Sequence, residues 1–257
     1  MRFLRLLREH LRQALSWRLV VCGGGVTLIM VGAISGLLDG SSSNCSVWYL
    51  LDHSIFGSGA FATAICILPA LTYSVTLPME WKTSAAPYWI VRTGISPYVI
   101  SKMIVSAIAG LLTLVMGMLL FVGIFSIWYP IYISPHTNIA YDALLAEGKI
   151  GAGLAGYILN YGLSGALAAA CGTFVATFIS DPFVAASSPL LVYFTLTRLT
   201  SGKNLPGMLN PLYWMEGIVG TSSAGQALLE KFLVVAVLCT GMSLVAIRQM
   251  KRRVRNA

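Results

Sequence analysis

Long apolar runs broken by short polar segments organise this 257-residue chain. Six runs cover residues 19–38, 54–78, 103–128, 150–179, 183–200 and 227–247. Each approaches or exceeds the roughly 18–20 residues that a helix needs to cross a ~30 Å hydrocarbon core. None alternates with a period of two, and each is far longer than the ~10 residues of a barrel strand. The pattern predicts an all-α membrane protein of six transmembrane helices with no soluble domain.

Between the runs, residues 2–17 predict an amphipathic interfacial helix. Leu4, Leu7, Leu11 and Leu15 recur at three- and four-residue steps, with Arg5, Arg8 and Arg12 on a neighbouring stripe. The chain then divides into this helix (1–18), the membrane bundle (19–247) and a basic tail (248–257). Residues 39–53 and 129–149 read as outer loops. Pro69 predicts a kink in the second span, which stops near Pro78. Asp181 suits an N-cap and Pro182 the first position of the fifth span. Residues 201–226 are apolar but interrupted by Pro206, Gly207, Pro211, Gly217 and Gly220, which predicts a re-entrant or interfacial outer segment.

Composition agrees, with 57% hydrophobic residues, 10% charged and a mean hydropathy of +0.79. Soluble domains carry about a quarter charged residues. The net charge of +8 is distributed unevenly. Thirteen of the 17 basic residues lie before the first run, in segment 79–102 or after the last run; Lys149, Arg198, Lys203 and Lys231 lie on the other side. By the positive-inside rule both termini face the cytoplasm of a plasma-membrane protein. The same distribution argues against nucleic acid as a partner and for membrane lipid. The charged start is long and its apolar run is about 20 residues, so it reads as a retained span rather than a cleaved signal.

Candidate chemistry is sparse. No G-x-x-x-x-G-K-[ST] is present, so ATP hydrolysis is not expected of this chain, nor is a catalytic site or bound cofactor. His10, His53 and His136 show no metal-ligand spacing and read as surface residues. Cys22, Cys66, Cys171 and Cys239 fall within spans, leaving only Cys45 in an outer loop. The span serines have no base to activate them. All nine acidic residues fall in loops, tails or span ends, so the buried part is expected to lack an ion relay.

That leaves segment 79–102, the sizeable polar interruption between two long runs, with Glu80, Lys82, Arg92 and Lys102. It resembles the cytoplasmic segment between the second and third spans of type-2 ATP-binding-cassette (ABC) exporter permeases. That family shows a glutamate after the second span, a short amphipathic helix, small and turn residues, then a lysine opening the third span. Here these are Glu80, the stretch 83–92, Thr93-Gly94-Ile95-Ser96-Pro97-Tyr98 and Lys102. Asn210-Pro211-Leu212-Tyr213 is similar to the family's outer segment. Where many members have a more charged stretch ending in Gly-Thr, this chain has Glu80-Trp81-Lys82-Thr83-Ser84.

The resemblance implies a coupling helix that docks a separate ABC ATPase through Glu80, Trp81, Lys82, Tyr88 and Arg92. An interfacial helix with an aromatic belt is the alternative. It further implies two ATPase copies holding ATP and Mg, a second identical or homologous permease subunit, and export of an amphipathic substrate such as a drug or peptide. The family's subunit interface draws on the first, second and fifth spans. It implies pathway-lining positions at Thr27, Ser35, Thr72, Thr76, Ser187, Tyr193 and Thr197, although interhelical hydrogen bonding would equally occupy such residues. Two readings from other classes stay open: an ion-coupled secondary carrier, and a non-pumping binding or immunity module.

Overall fold

A computed structural model describes residues 2–38, 45–56, 59–133, 140–200 and 223–255. Among them are eleven helices and no strand. Five are long and apolar enough to cross a membrane: α2 (Trp17–Leu38), α7 (Ile95–Phe125), α9 (Ile150–Ala176), α10 (Pro182–Thr200) and α11 (Ala224–Arg255). A sixth crossing arises if α3 (Val47–Phe56) and α4 (Ala60–Tyr73), whose axes differ by 84°, count as one bent span. These lengths and compositions are those of a multi-pass helical membrane protein. Most of the predicted re-entrant segment, residues 201–222, lies outside the described residues.

The centre of the bundle is α9, which packs against α4, α7, α8 (Ala140–Ala146), α10 and α11. Its most apolar stretch is 72% buried, against 11% for that of α11, so α11 flanks the bundle and α9 fills it. Small residues make this possible. A Cβ on Gly165 would lie 2.6 Å from the Gly110 carbonyl oxygen, so α7 and α9 cross at backbone contact that no larger residue permits. The α10 start is as read from the sequence: Asp181 Oδ1 accepts from the backbone N–H groups of Phe183 (2.8 Å) and Val184 (3.2 Å).

Five expectations require correction. The predicted outer loop over 39–53 contains the first seven of the ten residues of α3, whose Val47, Trp48, Leu50 and Leu51 are fully buried. Its first two N–H groups bond the Pro130 (2.9 Å) and Ile131 (3.1 Å) carbonyls, so the stretch after α7 caps α3.

The second span is not one kinked helix. It runs through Pro69, stops at Tyr73 and resumes as α5 (Thr76–Lys82). Pro78 explains the position, because it has no N–H for the Ser74 carbonyl four residues back and its ring crowds that oxygen.

α7 starts at Ile95, eight residues before the apolar run, with Gly94 (φ +87°) separating it from α6 (Ala85–Thr93) and Pro97 in its first turn. α11 continues as helix to Arg255, so the predicted basic tail is helix over 248–255. Its Ala246 and Met250 are buried beside Leu77, Ala86 and Tyr98.

The helix at the start, α1 (Arg2–Ala14), is amphipathic as expected, but its inward face is not the predicted leucine stripe. Leu6, His10 and Ala14 are buried, Leu7 and Leu11 pack on Tyr73, Val105 and Ala109, and Leu4 and Leu15 face outward. This helix therefore packs along protein, against α7 and α6.

Candidate functional site

Where α1, α5, α6 and the first turns of α7 meet, a buried polar cluster takes shape. Glu80 on α5 meets α7, where Lys102 donates to its Oε1 at 2.6 Å. Tyr98, one turn earlier on α7, donates to Oε2 at 2.5 Å. Lys102 Nζ also reaches Thr76 Oγ1 at 3.3 Å and stands 4.9 Å from the Tyr73 ring centroid. Lys102 is 1% exposed and Glu80 14% exposed, so this is an interior ion pair with its polar atoms engaged on both sides.

α1 closes the cluster. His10 is fully buried, its Nδ1 lies 3.0 Å from Ser101 Oγ, and its ring meets Trp89 and Tyr98 edge-on. The sequence places this histidine on the surface, and the structure corrects that. Burial, with the neighbouring Lys102 charge adding to it, pushes its pKa down to about 3. His10 is thus neutral in the folded protein at ordinary pH.

A second layer secures the same end of the bundle. Arg253 stacks over Trp81 at 4.4 Å and hydrogen-bonds the Ser180 hydroxyl, and Lys82 stands 3.8 Å from Asp181. Deeper, Thr173 donates to the Ser106 hydroxyl (2.7 Å), the Ser74 and Ser106 hydroxyls lie 3.1 Å apart, and each also lies within reach of the Ala169 carbonyl (2.8 and 2.9 Å). Three helices are tied where α4 breaks.

The five docking candidates therefore divide. Glu80 faces inward and Trp81 is half-buried under Arg253, whereas Lys82, Tyr88 and Arg92 are exposed. Arg92 lies over the Tyr88 ring at 4.7 Å, and Val91 beside them is 86% exposed. Ser84 (φ +58°) shapes the turn before α6; it is the single positive-φ non-glycine among the described residues.

The pathway candidates do not converge. Thr27 donates to the Gly117 carbonyl (2.9 Å), Thr72 lies 2.9 Å from Thr113 Oγ1, and Thr76 receives Lys102. Ser35 is exposed and Ser187 and Thr197 half-buried, while Tyr193 is buried. Sequence reading missed the roles of His10, Tyr98 and Ser101. Its one usable signal was a glutamate and a lysine flanking a short double turn.

A second ionisable group is interior beside the middle of α9. Lys231 on α11 is fully buried, 5.5 Å from the Tyr161 ring centroid, and its Nζ has no hydrogen-bond partner among the described residues. Nearby, Tyr157 donates to Asp52 (3.1 Å) and packs on Trp48, Tyr141 and Tyr161. No group of three or more His, Cys, Asp or Glu suited to a metal occurs among the described residues. The chain matches no protein-family model, no curated protein and no solved structure.

Proposed function

We propose that this chain is the membrane-spanning permease subunit of an ABC exporter, worked by a separate ATPase subunit that holds the ATP and Mg. One observation carries the reading. The α5–α6 segment is joined rigidly to α7 on its inner side through Glu80, Tyr98 and Lys102, and carries Lys82, Tyr88, Val91 and Arg92 uncovered on its outer side. A protein docked there would transmit force to α7 without loss in a soft joint. On this reading the basic end is cytoplasmic, two ATPase copies bind a permease pair, and an amphipathic compound leaves along the pair's interface. The subunit itself is not an enzyme.

The test separates docking from stability. Tyr88→Ala with Arg92→Ala, both exposed, is expected to leave insertion and thermal stability unchanged while lowering co-purification of an ATPase and substrate-stimulated ATP hydrolysis severalfold. Unchanged coupling removes the docking reading. Glu80 is unsuited to this test because its loss would strand Lys102.

A second reading is favoured by Lys231 alone: an ion-coupled carrier, since buried ionisable groups in spans mark such pathways. Transport by the isolated chain under an ion gradient, abolished by Lys231→Met, would support it over the ABC reading.

A further inference from the structure

We infer that the junction of α1 and α2 forms a binding site for one anionic phospholipid, with its headgroup on α1 and one acyl chain along α7. The inference rests on the membrane location of the chain and is independent of any transport role.

A groove of about 610 Å³ runs between the start of α2 and the outer flank of α7. Its walls, including Leu15, Leu19, Leu112, Met116, Leu120 and Ile127, contain no polar side chain. From Leu112 to Ile124, the last groove residue within α7, is twelve residues, about 18 Å at helical rise. That exceeds the ~15 Å of one leaflet of a ~30 Å hydrocarbon core, so a whole acyl chain fits along it.

Leu15 also lines a second recess whose other walls are Arg8, Glu9, Leu11 and Arg12. Arg8 and Arg12 stand one helical turn apart, exposed, and line the recess that shares Leu15 with the groove. With Glu9 counted, the recess carries one net positive charge. Cationic donors over an apolar channel suit an anionic amphiphile, and two guanidiniums are well shaped for a phosphodiester.

The test uses the full chain in nanodiscs of equal phosphatidylglycerol and phosphatidylcholine, released and weighed by native mass spectrometry. The wild type is expected to retain phosphatidylglycerol in excess. Arg8→Gln and Arg12→Gln should each lower its retention by about fivefold and leave phosphatidylcholine unaffected. Gly123→Trp should reduce retention of both lipids, because Gly123 borders the groove and a Cβ there meets nothing within 4 Å, so the ring fills the channel without disturbing the fold. Equal retention of the two lipids by the wild type overturns the site. So does an excess that survives the double arginine variant. Retention that ignores Gly123→Trp reduces the effect to general surface electrostatics and also overturns it. A changed oligomeric state in that variant with lipid retention intact would assign the groove to a second copy instead.

Discussion

Two of the described lysines, Lys102 and Lys231, are fully enclosed, and their surroundings differ sharply. Lys102 has a carboxylate at 2.6 Å, a threonine hydroxyl and a tyrosine face, and its carboxylate is held in turn by Tyr98. Lys231 has a tyrosine face and no hydrogen-bond partner among the described residues. The first is a completed joint that fixes α5 to α7. The second is an amine removed from water with little in return, and such a group needs a reason other than stability. Buried charge alone therefore does not mark function; the quality of its partnering separates a clasp from a working group.

The comparison breaks most visibly at Glu80. Glu80→Ala should cost about 3–5 kcal/mol by stranding Lys102. Measured as the thermal midpoint in detergent, most of that loss should return in Glu80→Ala/Lys102→Met. Equal loss in the single and double variants would mean that the pair is not what holds the joint.

Acid is the next tool, because His10 abuts the Lys102 cluster and not Lys231. The unfolded histidine binds its proton near pH 6.5 and the folded one near 3. Stability from neutral His10 is thus complete above 6.5 and declines as pH falls toward 3, by about 1.4 kcal/mol per pH unit. Release of α1 on acidification, followed by a probe on α1, should disappear in His10→Phe.

Lys231→Met should be neutral or stabilising by about 1 kcal/mol, the reverse of Glu80→Ala. Marked destabilisation would show that Lys231 has a structural partner and would erase the contrast. The smallest effect belongs to Lys82→Ala. Its ion pair with Asp181 is half-exposed, so the thermal midpoint should shift by the equivalent of less than about 0.5 kcal/mol.

Where local signals agree, the chain was readable. α9 and α10 begin within a residue of their apolar runs, and Asp181-Pro182 marks the α10 start for a definite stereochemical reason. Where an element is decided by its neighbours, it was not. α3 carries Asp52 and His53 and so reads as loop, yet Tyr157 takes up Asp52 and the Pro130 and Ile131 carbonyls cap its start. The break in the second span follows Pro78 rather than the more conspicuous Pro69, because the consequence of a proline falls on the carbonyl four residues before it. The rotation of α1 depends on a histidine that finds its hydrogen-bond partner 91 residues away. Periodicity carries no information about such a meeting. In the candidate site, the charged residues of 79–102 were recognisable, but which faced inward depended on a turn at Ser74–Val75 that only the packed structure reveals.

One dimension of α7 has a mechanical consequence. Its 31 residues make an unbroken rod of about 46 Å. One end is clasped by Glu80, and the chain leaving the other end holds the first N–H groups of α3. The near-contact of Gly110 with Gly165 lies about midway and serves as a pivot. A swing of about 10° around that point would carry each tip some 4 Å in opposite directions, by the rod's length. A nudge at the basic end would thus arrive, reversed in sense, at the aromatic cluster around Trp48 and Tyr157.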